Sequence, residues 1–221
     1  MNAHQEGEHL EHRLQHRMIF YTDAVFAIVM TLLVLDLHPP QMATGEGLSD
    51  LLVAMSGKLF AFALSFTILS IFWIAHMSTT RRLLHFDWPT AVANLGFLFP
   101  VCLIPFVSSW VGGAVTTPWA WGAYSLVLIA TSLGNVVLVL VQNRGGGRLI
   151  AGGLTPAQLT YRLARAAAPG LAFIVGLLGA MAGQVHVTQF CSLLIVPYLF
   201  VVRRTLQPPE DRPPPRKLAK A

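Results

Sequence analysis

The sequence predicts an all-α membrane protein of six transmembrane helices, and three observations predict it. Only 11% of the 221 residues are charged and 54% are hydrophobic. A soluble domain carries about 25% charge, so this chain has too few charges to cover a water-facing surface. Apolar stretches recur at about 20 residues, the length that crosses a hydrocarbon core of about 30 Å. Basic residues cluster between alternate stretches, as topology signals do.

The first span runs from about Arg17 to Leu37 and ends at His38-Pro39-Pro40. The second, from about Leu51 to Ser78, is long enough to tilt or project. The third, Thr90 to about Val111, contains Pro100 and Pro105; prolines are tolerated in a span where neighbouring helices satisfy the freed carbonyls. The fourth runs from Trp119 to Val141, before Gly145-Gly146-Gly147. The fifth runs from about Tyr161 to Gly183, with Arg162 and Arg165 at its start, and the sixth from about Val187 to Val202. The chain therefore divides into an N-terminal segment (1–16), a six-helix domain (17–204) and a Pro-rich, charged tail (205–221) expected to be disordered. The N-terminal segment lacks the short apolar core of a signal peptide.

Of the 15 lysines and arginines, all but Lys58 fall on one side of this arrangement. Arg13 and Arg17 precede or open the first span, and Arg81 and Arg82 follow the second. Arg144, Arg148, Arg162 and Arg165 surround the fourth-to-fifth loop, and the rest follow the sixth span. The opposite loops hold none. The positive-inside rule places both termini in the cytoplasm. The net charge of +5 is thus a topology signal and predicts no nucleic-acid partner. Cys102 and Cys191 both lie in apolar runs and read as small packing residues.

A charge inside a span costs roughly 2.5–3.5 kcal/mol on insertion scales. Asp23, about 9 Å into the first span from Arg17 at 1.5 Å per residue, must be partnered or protonated. Trp73 and His76, three apart in the second span, share a face at similar depth. Asn94 lies one turn into the third span. These four residues are expected to meet in one buried network, either as interhelical glue or as a gating or proton-sensing element. On a wheel of about 100° per residue, Ile28, Leu32 and Leu35 form one aliphatic stripe with Thr31 at its edge, and Asp23 falls on another face. In isolation that stripe means core packing or lipid contact.

Residues 17–36, Arg-Met-Ile-Phe-Tyr-Thr-Asp-Ala-Val-Phe-Ala-Ile-Val-Met-Thr-Leu-Leu-Val-Leu-Asp, resemble the first helix of the transmembrane protein 175 family of cation channels. The family signature is R-x-x-x-F-S-D before an apolar helix. Arg17 and Asp23 match it, Tyr21 stands for Phe and Thr22 for Ser. Trp73, His76, Asn94 and the Leu103-Ile104-Pro105-Phe106 stretch also resemble family positions. The resemblance covers the first three spans; the last three match in count and topology only.

The resemblance implies a homotetramer in the inner membrane of a prokaryotic cell, with four first helices lining a pore for potassium and other monovalent cations. It implies a constriction at Ile28, Leu32 and Leu35, with Thr31 as a polar layer. No cofactor, metal or catalytic activity is expected. The sequence holds no T-V-G-Y-G segment that would present carbonyl rings, so closure by dewetting of an aliphatic ring and modest selectivity are expected. The alternative is a proton-coupled transporter using an Asp23–His76 relay, although no repeat relates the two halves of the chain. There is no G-x-S-x-G or H-E-x-x-H motif of a membrane enzyme.

Other features have simpler readings. His9, His12 and His16 mark a solvated helix face. Gly176, Gly179, Ala180 and Gly183 predict close helix packing. Lys58 snorkels or influences ion entry. Asp36 is a candidate carboxylate at the external mouth, and Arg17 an interfacial anchor or a cytoplasmic-mouth residue.

Overall fold

The computed structural model describes residues 3–38, 47–81, 83–84, 87–144, 149–150 and 152–208, with side chains from residue 15 onward. Helix α1 spans Ala3–Leu32 and tightens into a 3-10 turn at Leu33–Asp36. Helices α2 (Leu48–Thr80), α3 (Trp88–Gly113), α4 (Pro118–Gln142) and α5 (Pro156–Met181) follow. The last span is α6 (Val185–Phe190), a 3-10 turn (Cys191–Leu194) and α7 (Ile195–Leu206). Among the described residues, six helical segments are long and apolar enough to cross a membrane, in agreement with the sequence.

The helix starts explain where the expected boundaries move. Asp87 caps α3 by accepting from the Thr90 backbone N–H at 3.0 Å, with Pro89 just inside the helix. Thr155 and Gln158 form a capping box, at 3.3 and 3.1 Å, before Pro156. That box starts α5 at Pro156, so Arg162 and Arg165 lie about two turns in, not at the helix start. At the other end α5 stops at Met181, and Gly183 turns the chain with a φ of 70°. Gly183 therefore serves the turn and not the packing stripe expected of it.

The sixth span is broken where the sequence reads as continuous. Pro197 has no N–H for the carbonyl four residues back, and its ring crowds that carbonyl. The turn before it, Cys191–Leu194, winds as 3-10. The expected small-residue packing is present here. A Cβ on Gly176 would meet Cys191 Sγ at 2.7 Å, and one on Gly179 would meet Val187 at 2.9 Å. The Thr188 hydroxyl donates to the Gly176 carbonyl at 3.0 Å. Both cysteines are free thiols, Cys191 buried and Cys102 exposed.

The core runs through the centre of α3 and α4, around Phe97, Val101, Ile104, Trp121, Tyr124 and Phe173. Ser65, Ser108 and Tyr124 form a buried hydroxyl cluster at 2.8–2.9 Å that joins α2, α3 and α4. At the basic end, the Leu84 N–H donates to Leu149 O at 2.9 Å, and Arg144 pairs with Asp87 at 2.7 Å. Burial works against the Asp87 charge, but Thr90 and Arg144 outweigh it and hold the carboxyl below its ordinary value. The side chains of Arg13, His9 and His12, and the residues Arg82, Arg148 and 209–221, lie outside the described residues.

Candidate functional site

α1 presents two opposed faces. Thr22, Phe26, Val29 and Leu33 recur at helical spacing and are all buried against α2 and α3. Ile28, Leu32 and Leu35 are 58%, 42% and 61% exposed, and Thr31 is exposed beside them. The predicted stripe is therefore an aliphatic surface that the other described residues leave uncovered. Arg17 and Tyr21 extend the exposed side toward the basic end.

The buried face is anchored by polar residues, and of the four expected to form one network His76 and Asn94 meet there, together with Thr22. His76 Nε2 lies 2.9 Å from Asn94 Oδ1, and Asn94 Nδ2 donates to Thr22 Oγ1 at 2.8 Å. The Thr22 hydroxyl in turn donates to the Met18 carbonyl at 2.9 Å. Because the Asn94 amide nitrogen is committed to Thr22, its oxygen accepts, and His76 Nε2 must carry the proton. The network thus runs in one direction, from α2 through α3 to α1. His76 is also stacked on Phe97, with centroids 5.5 Å apart and planes within 2°. Phe26 of α1 packs against both rings.

Asp23 stands apart from this chain of bonds. It accepts from Trp73 Nε1 at 3.0 Å and remains exposed. The expected single network is therefore two adjacent links, and Asp23 and His76 share no hydrogen bond. Phe97 is the residue that sequence reasoning missed. Its signal is its place three residues after Asn94, on the same helical face.

At the opposite end of α1, the 3-10 turn carries Asp36 toward α3, where Ser109 Oγ donates to Oδ1 at 3.0 Å. Asp36, His38 and Lys58 line one cavity of about 100 Å³ behind α1. The acid expected at an external mouth thus shares a lateral pocket with the lysine, two features that had separate readings.

Residues 17–105 match the model of a family described as "Endosomal/lysosomal potassium channel TMEM175". Residues 17–105 belong to that family. The TMEM175 stretch contains the whole α1 stripe and every residue of the His76–Asn94–Thr22 and Trp73–Asp23 links. A potassium channel of Streptomyces collinus is 29% identical over 121 residues, 53% of this chain and 59% of the relative. The endosomal/lysosomal proton channel TMEM175 of Gallus gallus is 25% identical over 130 residues, 57% of this chain and 25% of the relative. The chain thus spans a quarter to three-fifths of these curated relatives. The solved lysosomal potassium-selective channel TMEM175 homolog from Chamaesiphon Minutus superposes with a TM-score of 0.70 at 18% identity, covering 85% of this chain and 97% of that one. The fold of all six spans is that of TMEM175 channel structures, and the chain is a multi-pass membrane protein.

Proposed function

We propose that this chain is a channel for monovalent cations, chiefly potassium, assembled as a homotetramer whose α1 helices surround the pore. The observation that carries this reading is the exposed stripe of Ile28, Leu32 and Leu35, opposite the face that anchors α1. Four such stripes facing one axis make an aliphatic ring. A ring of this kind closes by dewetting and conducts when it widens. Thr31 adds a hydroxyl at the ring's edge, although it also donates to its own helix at the Ile28 carbonyl, 2.8 Å away. The names of the bacterial relatives, potassium channels, support the cation. The alternation of basic loops supports an inner-membrane orientation with both termini in the cytoplasm.

The test is flux from liposomes holding the purified protein under a potassium gradient, paired with its mass in detergent. Potassium leak from an assembly of four chains is the expected result. Saturating, proton-coupled uptake would replace the channel reading with a transporter. A proton gradient in the same liposomes separates potassium conduction from the proton conduction named for the chicken relative.

A further inference from the structure

The basic end of the last span carries an open groove of about 390 Å³, lined by Phe200, Arg203, Arg204 and Gln207. No carboxylate lines it among the described residues. We propose that this end of α7, with the basic tail that follows it, docks on the anionic phospholipids of the adjoining leaflet and holds one headgroup in the groove. The proposal rests on the six-span membrane fold and not on the channel reading.

The sequence supplies the charge. From Arg203 onward the chain has six basic side chains, Arg203, Arg204, Arg212, Arg216, Lys217 and Lys220, against two acidic ones, Glu210 and Asp211. A cluster of about four to eight lysines and arginines directly after a span is the pattern that an anionic membrane surface attracts. The topology rule accounts for the side on which these charges lie, and not for what they meet there.

The structure supplies the place. The last span, Val185–Leu206, has 22 residues, about 33 Å at 1.5 Å per residue, against a hydrocarbon core of about 30 Å. Arg203 and Arg204 lie in the last turn of α7, so they stand where hydrocarbon gives way to headgroups. Val196, Phe200 and Arg203 follow one line of α7 at helical spacing, and all three are exposed. An acyl chain can therefore lie along Val196 and Phe200 while its phosphate reaches the arginines. The Arg204 guanidinium is held over the Phe200 ring, 4.6 Å from its centroid. Stacked in this way it keeps its edge N–H groups for an anion, and a guanidinium fork pairs with phosphate through two parallel bonds. A nucleic acid offers the same phosphates but nothing to cover Val196 and Phe200.

Native mass spectrometry of the purified full chain in nanodiscs of mixed lipid tests the groove. The preference for retaining phosphatidylglycerol over phosphatidylcholine should fall by about twenty-five-fold in R203Q/R204Q, a factor of about five per arginine. R203K/R204K, which keeps the charge, should retain most of it. The basic residues left in the tail hold the topology of the glutamine variant. Phe200→Leu keeps every charge and should lower the preference by about twofold; no change there overturns the stacked arrangement. Trypsin reads the tail. In discs containing phosphatidylglycerol, cleavage after Lys217 should be about five-fold slower than in phosphatidylcholine alone, and high salt should remove the difference. Equal retention of the two lipids by the wild type, or an unchanged preference in R203Q/R204Q, overturns the groove. Equal cleavage in the two kinds of disc overturns the docking of the tail. Loss of the preference in millimolar inorganic phosphate assigns the arginines to a soluble anion instead. Protection of Lys217 by RNA in phosphatidylcholine discs, stronger than phosphatidylglycerol gives, assigns the tail to nucleic acid.

Discussion

α1 touches the rest of the bundle along one face, through Thr22, Phe26, Val29 and Leu33. α4, by contrast, is enclosed between α3 and α5 at backbone distance. A Cβ on Gly134 would meet Phe97 Cα at 2.9 Å, and one on Gly170 of α5 would meet Ser132 at 2.7–2.8 Å. Ser132 in turn donates to the Ala166 carbonyl at 2.8 Å. Small residues let helices approach until dispersion and hydrogen bonds hold them, since lipid removes the hydrophobic drive for association. The first span is pinned by a few polar links and the wall by close packing. A helix attached along one face, with an aliphatic surface opposite, is free to present that surface to another copy. A helix gripped on both sides is not.

The contrast can be broken at four strengths. The largest effect is expected on the exposed stripe. Ile28→Asn or Leu35→Asn should raise potassium leak on the order of tenfold or more, by wetting the proposed ring and removing at least about 1.4 kcal/mol of barrier. Bilayer recordings with unchanged conductance and selectivity would place the gate elsewhere. Next, Gly134→Ala should lower stability by about 1–3 kcal/mol, because the obstructing atom is backbone and cannot turn aside. Thermal unfolding in detergent reads that loss, and a wild-type melting point would show the wall to be looser than described.

The third change is Asn94→Ala, which strands the His76 and Thr22 partners at once. A cost of about 1–2 kcal/mol is expected, with α1 losing protection in hydrogen exchange before α4 does. Uniform loss across both helices would erase the distinction between anchor and wall. The smallest effect is at Arg144→Gln, which removes the exposed partner of Asp87. Its folded pKa is depressed, so the pair stabilises fully above the ordinary carboxylate value of about 3.9. That contribution fades as pH falls through the lower folded value. Screening limits it to a few tenths of a kcal/mol, roughly, and a melting curve taken above and below pH 4 should show the wild type and variant converging in acid.

Much of this was legible in the sequence because it obeys one-dimensional rules. Span positions follow apolar length, and the two faces of α1 follow the 3.6-residue period. Asp23, Trp73, His76 and Asn94 announce themselves as polar groups at similar depth in apolar runs, whereas Thr22 stands out only as the residue in the Ser place of the family signature. What could not be read depends on three-dimensional partners. Asp23 and His76 take separate partners because Asn94 bridges His76 to Thr22. Pro197 exerts its effect on the turn upstream of it, so the break at Cys191–Leu194 carries no residue signal of its own.

The tightened turn at Leu33–Asp36 has a consequence for the shape of the α1 surface. Each residue there advances about 2.0 Å and about 120°, against about 1.5 Å and 100° in the helix before it. By Leu35 the side chains have swung about 60° further round than a uniform helix would carry them. The aliphatic strip is therefore a thread with a changing pitch rather than a straight seam. Ile28 and Leu35 look outward along different bearings, and one extra or missing residue between them would alter the bearing of one without moving the other.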